Sequence, residues 1–291
     1  MAEAELKAKY RYVLDGISQI PSLPAVVSRL LSILNHPRTG ADDVVHFLEM
    51  DVGIASKVLR LANSAYYGVP GGITSIQRAV IQLGFSTVSS VVISSSVYNL
   101  FKATGTQHSM NRVAFWRHSI ETAIYCRVLA QQTTGRVDPE VAFTQGMLHD
   151  IGALVFDTAF PKEYATLVDT ARKTGATLEE VEREHFGMDH SQIGGRILER
   201  WGLPEFLRTP IQLHHSPIID NKYRDYVLVL ALANDISHSK GLLLFPQQRH
   251  HARELQPTLE LLGITTHPDV LSQLFEEELK RAKVILNLLR S

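Results

Sequence analysis

Seven residues with metal-binding side chains stand in or beside apolar stretches of this 291-residue chain: His118, the pair His149 and Asp150, His190, the pair His214 and His215, and Asp235. Imidazole nitrogen and carboxylate oxygen together suit one or two divalent ions of iron, manganese, nickel or zinc, and the lack of thiolates among them argues against a structural cysteine site. His149 and Asp150 sit inside Gly146-Met147-Leu148-His149-Asp150-Ile151-Gly152-Ala153-Leu154. An unpaired charge there would be expensive, so Asp150 needs Arg117, a backbone amide or a metal as its partner.

Taken singly, each residue has an ordinary role open to it. His118 suits a hydrogen-bonded interior histidine, His190 a helix N-terminus beside Asp189, and one of His214 and His215 a solvated helix end. Asp235, within Leu230-Ala231-Leu232-Ala233-Asn234-Asp235-Ile236, suits a cap or a salt bridge. The ordered set is more specific than any member, because all these roles would have to coincide. His36, His46, His108, His185, His238, His250, His251 and His267 are read as surface or structural residues.

Helices can gather such distant ligands, because antiparallel packing brings them to one centre. Ser22 is read as the cap of a helix entered by Leu23-Pro24, with Val26, Val27, Leu30, Leu31 and Leu34 as its stripe and Asn35-His36-Pro37 as its stop. Asp51 caps Ile54, Val58, Leu61, Ala62 and Ala65, closed by Asn63 to Gly68, and Ser75 caps Ile76, Ala79, Val80 and Leu83 with Gly84 as the stop. Valine and serine from Ser86 to Leu100 suit a strand as well as a buried helix, and helical neighbours decide for helix. A long helix runs on from Asn111, and Asp138-Pro139 opens another toward His149. Thr177 with Glu180 and Asp189 with Gln192 have capping-box spacing. Lys222 to Ser239 and about His267 to Leu289 read as two more helices. The expected fold is all-α, an N-terminal multi-helix subdomain over 1–105 packed on a metal-binding helical subdomain over 106–240, with a C-terminal helical extension over 241–291. The first boundary is placed at the polar break from Ala103 to Met110, and Pro and Gly also mark loops at Val69 to Gly72 and Lys240-Gly241.

Composition fits that picture. With 45% apolar and 20% charged residues and a net charge of -1, the chain resembles neither a disordered nor a membrane protein and has no overall bias toward nucleic acid. Cys126 is the only cysteine, so no intramolecular disulfide can form. The start lacks a basic segment followed by an apolar one, and the serine-interrupted window Val88 to Leu100 falls short of the roughly 20 apolar residues a span needs. A cytoplasmic protein with no transmembrane helix is expected.

The order His, His-Asp, His, His-His, Asp resembles the HD superfamily of metal-dependent phosphohydrolases. Further segments, Leu23-Pro24, Asp51 through Leu59-Arg60-Leu61-Ala62-Asn63-Ser64-Ala65, and Ser75-Ile76-Gln77-Arg78-Ala79-Val80-Ile81-Gln82-Leu83-Gly84, resemble the HDOD (HD-related output domain) family, a likeness that runs from about Ile20 to about Lys240. This resemblance implies a bacterial signalling or regulatory module, frequently without demonstrated catalysis. It also implies that His118, His149, Asp150 and Asp235 hold one metal, with Asp150 bridging to a second held by His190, His214 and His215.

Two departures from the cyclic-dinucleotide hydrolases of that superfamily weigh against turnover. Ala153 stands where those enzymes often carry a phosphate-contacting lysine, and Ser216-Pro217-Ile218 replaces a Gly-Tyr-Pro loop. Arg117 and Arg196 are candidate replacements for the missing cation. The expectation is a module with little or no catalysis that binds metal, a protein partner in a signalling pathway and a phosphorylated small molecule, with self-association into a homodimer left open. Its rival is a metal-dependent phosphohydrolase acting on a nucleotide or cyclic nucleotide. DNA binding ranks well behind both: Asp51 to Gly84 has a helix-turn-helix outline, but its second helix offers only Gln77, Arg78 and Gln82.

Overall fold

In the computed structural model, the described residues are all except 1, 19, 24, 35–40, 65–66, 70, 103–109, 218–219, 242–253 and 291. They contain helices and no β-strand. In chain order these are α1 (Ala2–Ser18), α2 (Ala25–Leu34), α3 (Ala41–Glu49), α4 (Val52–Ala62), α5 (Ile76–Lys102), α6 (Arg112–Gln132), α7 (Pro139–Leu148), α8 (Ile151–Ala159), α9 (Pro161–Thr174), α10 (Leu178–Phe186), α11 (His190–Arg200), α12 (Glu205–Leu213), α13 (Arg224–Ser239), α14 (Leu255–Leu261) and α15 (Pro268–Arg290). Pro24, the stop at Asn35-His36-Pro37, Ala65, Pro70, Ile218 and all of the polar break but Met110 lie outside the described residues.

Local signals set most of these boundaries. Asp51 accepts from Ile54 N at 3.0 Å, Asn111 from Val113 and Ala114, and Asp138 from Glu140 and Val141 with Pro139 in the first turn. Such caps contribute typically about 1 kcal/mol each. Both capping boxes form, at Thr177 with Glu180 and at Asp189 with Gln192. Gly84 does not end its helix outright. At φ 77 and ψ 162 it breaks the regular backbone, and the chain turns helical again through the Val-Ser stretch to Lys102. The helix is therefore longer than its apolar window suggests, and Ile76–Phe101 is long and apolar enough to cross a membrane; 61% of its most apolar stretch is buried in the protein, as in a core helix.

The chain divides into two compact units, Met1–Ser22 with Phe101–Thr266, and Leu23–Leu100 with His267–Ser291. The division is interleaved, whereas the sequence suggests consecutive segments, because each end of the chain packs far from its neighbours in sequence. In the first unit α1 packs on α8 and α10, and Arg200 and the Trp201 indole donate to the carbonyls of Ile17, Ser18 and Pro21. In the second unit α15 packs on α4. There the Asn63 side chain donates to Ile73 O at 2.7 Å and accepts from Ile73 N at 2.7 Å, tying the end of α4 to the loop that follows.

The core of the first unit brings α6 against α7 and α13, and α11 against α8 and α12. Its closest backbone approach is at Gly152. A Cβ there would overlap the His190 carbonyl oxygen and lie 2.8 Å from Gly194 N, so glycine alone lets the start of α8 meet the start of α11. At Gly194 an added Cβ would find its neighbours at 3.3 to 3.5 Å. Gly152→Ala is accordingly expected to destabilise the chain by about 1–3 kcal/mol or more through overpacking, and Gly194→Ala by less. Chemical denaturation of both variants checks the order.

Candidate metal centre

Five elements deliver the donors. His118 projects from α6, and His149 and Asp150 form the turn between α7 and α8, where Asp150 leaves helical geometry at φ -98 and ψ 14. His190 opens α11 behind its cap Asp189, which is held by Arg183 at 2.6 Å and by the Ser191 hydroxyl at 2.6 Å. His214 and His215 form the turn after α12, and Asp235 lies on α13.

The structure draws six of the seven residues into two groups that share Asp150. One comprises His118, His149 and Asp150, the other Asp150, His190, His214 and His215, with the ligand atoms of each group within 4.8 Å of one another. Asp150 Oδ2 is 3.0 Å from His149 Nε2 and 3.2 Å from His118 Nε2, and Oδ1 is 3.4 Å from His190 Nε2 and 3.6 Å from His214 Nε2. None of these six side chains is more than 7% exposed. Asp235 is buried but belongs to neither group.

The rings are oriented from behind. His149 Nδ1 donates to Gly146 O at 2.8 Å, His214 Nδ1 to Ile211 O at 2.7 Å, and His190 Nδ1 to Glu182 Oε2 at 2.6 Å. With the proton held on Nδ1, the neutral ring turns the lone pair of Nε2 inward. His149 Nε2 then meets a carboxylate oxygen, acceptor against acceptor, and the buried Asp150 Oδ1 accepts no hydrogen bond of its own. Where protons rather than a cation fill that gap, burial would raise the Asp150 carboxyl, yet a protonated His149 and N–H groups of His118, His149 and His190 turned toward it hold it well below the usual carboxylate range. Burial likewise opposes charge on His190, and Glu182 and Asp150 outweigh it, pushing the imidazole well above its usual value. The cluster demands positive charge at its centre, as protons or as a cation. A divalent ion fits the donor set, and nitrogen-bound protons pointed at acceptors behind each ring are the usual support of metal-ligating histidines.

Several residues that complete this arrangement are not evident as chemistry in the sequence. Glu182 is fully buried and also accepts from His190 N at 2.8 Å and from the Tyr164 hydroxyl at 2.7 Å. Its signal is the face Leu178, Glu182 and Phe186, an acid on an otherwise apolar stripe. Ser237 Oγ lies 3.0 Å from His118 Nδ1, and the buried His238 stands edge-on to His118 with ring centroids 5.0 Å apart. Three-residue spacing from Asp235 puts His238 on that acid's side of α13. Arg117 lies on the exposed side of α6, paired with Glu121 at 2.8 Å, and the exposed Arg196 sits 5.9 Å from the Tyr10 ring centroid.

Comparison with known proteins places the chain in a family. A model of the HDOD domain matches residues 20–217. The chain is similar to the solved structure of an HDOD domain protein of unknown function from Geobacter sulfurreducens, at 26% identity and TM-score 0.72, over 99% of this chain and 94% of that one. It is also similar to a Shewanella amazonensis SB2B structure named "Putative phosphohydrolase", at 28% identity and TM-score 0.72, over 96% and 97% of the two chains. An uncharacterized protein of Treponema pallidum (strain Nichols) is 24% identical over 223 residues, 76% of this chain but 43% of the relative, so the chain spans less than half the length of that curated protein. Matched by the family model over most of its length and sharing the helical fold, the chain belongs to the HDOD domain family.

Proposed function

We propose that this chain is a cytoplasmic regulatory module whose helical core holds one or two divalent ions and which passes a signal to a protein partner rather than turning over a substrate. The observation that carries the metal is the convergence of five imidazoles on Asp150, with His118 and His149 on one side and His190, His214 and His215 on the other, and with Nδ1 of His149, His190 and His214 tied to acceptors behind the ring so that Nε2 faces inward. Such a set binds several first-row metals, and availability selects among them.

Burial supports binding over turnover. Structural metal sites are closed, whereas catalytic ones keep a position open to water and substrate, and the most accessible donor here, His215, has a side chain only 7% exposed. Arg117 and Arg196, the candidate phosphate contacts, point to solvent, and the lysine position is Ala153. A partner is supported by the apolar side chains of Met50, Val52 and Ile81, each more than 60% exposed in the unit formed by Leu23–Leu100 and His267–Ser291. The alternative reading, a metal-dependent phosphohydrolase, is favoured by the name of the Shewanella relative and by the shared carboxylate. A bound divalent ion would supply Lewis acidity toward a phosphoryl group. This chain's residues would orient that ion from behind and exclude bulk water around it.

Elemental analysis of the chain purified without chelator is expected to find one or two equivalents of a first-row metal, falling to background in Asp150→Ala and losing at least one equivalent in His149→Ala. Equal metal content in all three proteins would defeat the centre. In a screen of nucleotides and cyclic dinucleotides with the loaded chain, hydrolysis no faster than in Asp150→Ala is expected. A robust metal-dependent rate that disappears in that variant would establish the enzyme instead.

A further inference from the structure

The two donor groups are unequal in ways that go beyond the presence of metal. Among the described residues, the group around His190 offers four residues and that around His118 three. Their supports differ in charge as well. Behind His149 stands a neutral carbonyl, Gly146 O, and beside His118 Nδ1 a neutral hydroxyl, Ser237 Oγ. Behind His190 stands a carboxylate. One oxygen of Glu182 accepts both the backbone N–H and the Nδ1–H of His190, at 2.8 and 2.6 Å, while the other accepts the Tyr164 hydroxyl at 2.7 Å. Glu182 and Tyr164 are both fully buried, and Phe186, stacked on Phe156 with centroids 4.4 Å apart, closes the same face of α10. A second acid, Glu179, brings its carboxylate to 3.9 Å from His215 Nδ1.

A carboxylate behind an imidazole fixes its tautomer and ring orientation and raises its basicity as a ligand. It also supplies a negative charge where the interior cannot screen one, and the two contacts from His190 hold that ring in a single pose. Resting on the metal-centre reading above, we propose that Glu182 is a positioning residue that makes the His190, His214 and His215 side of the centre the tighter of two metal positions. This position fills first, and the His118 and His149 position fills second and exchanges more readily. A form carrying one ion is therefore a distinct state of the protein, and occupancy of the second position follows the free-ion concentration.

The test is a Co2+ titration of the full, chelator-treated chain, read by visible ligand-field absorption with a competing chelator to set affinities. The parent is expected to bind in two phases of different affinity and different spectrum. Glu182→Ala should weaken the first phase about 10–100-fold and change its spectrum while leaving the second phase in place. Glu182→Gln, which keeps an acceptor behind His190 and is the milder change to the core, should lower the first affinity by less. His118→Ala should remove the second phase and leave the first. Unchanged first-phase affinity in both Glu182 variants, two equal phases in the parent, or loss of the tight phase in His118→Ala would each overturn the proposal while the metal centre stood. A parent chain that takes up no Co2+ would instead bring down the metal-centre reading and this inference with it.

Discussion

The arrangement turns on one electrostatic constraint: five imidazoles and a carboxylate, largely stripped of water, face each other around Asp150, with Nε2 of His149, His190 and His214 directed inward. Left to themselves such groups repel. Burial multiplies that repulsion, because the low dielectric that strengthens a good contact also strengthens a bad one. The fold holds them together with hydrogen bonds on the far side of the His149, His190 and His214 rings and by close helix packing. It resolves the conflict only with positive charge in the middle.

That demand explains why a few backbone details matter more than their size suggests. Gly152 lets α8 lie against the first residue of α11, and without that approach Asp150 could not reach His190. Asp189 is held by Arg183 and Ser191 and caps α11, so the histidine that follows it starts from a fixed backbone. Each device acts on position rather than on chemistry. Together they gather the donors of α6, of α11 and of the turns after α7 and α12 around Asp150.

Much of this was legible in the residues. Caps at Asp51, Asn111, Asp138, Thr177 and Asp189 announce their helices because a side-chain oxygen three residues ahead of a free N–H is a local matter. The ordered histidines and acids announce a shared buried cluster because polar residues inside apolar runs need a reason. Glu182 is hidden for the opposite cause: it sits in Glu179-Glu180-Val181-Glu182, where an acidic run looks like solvated surface, and only the packing of α10 shows which carboxylates turn inward. Gly84 looked like a terminus, since its positive φ is a local property, whereas resumption of the helix beyond it depends on what the valines pack against. The partners of α1 and α15 were invisible for a related reason. No local pattern records which distant surface an amphipathic helix will cover.

The docking of α1 bears on how the molecule comes into being. Gly16 fits against the Phe160 ring, Tyr12 donates to Glu163, Lys9 to Glu184 O, and the Arg200 guanidinium reaches Ile17 O across 183 residues of chain. During synthesis this helix leaves the ribosome before its seat, which is assembled only when α8 to α11 have followed. Closing so long a loop is slow, and ordering it brings little reward until the seat exists. Until then α1 must remain undocked, with Val13 and Ile17, both buried in the finished protein, exposed to whatever meets the nascent chain.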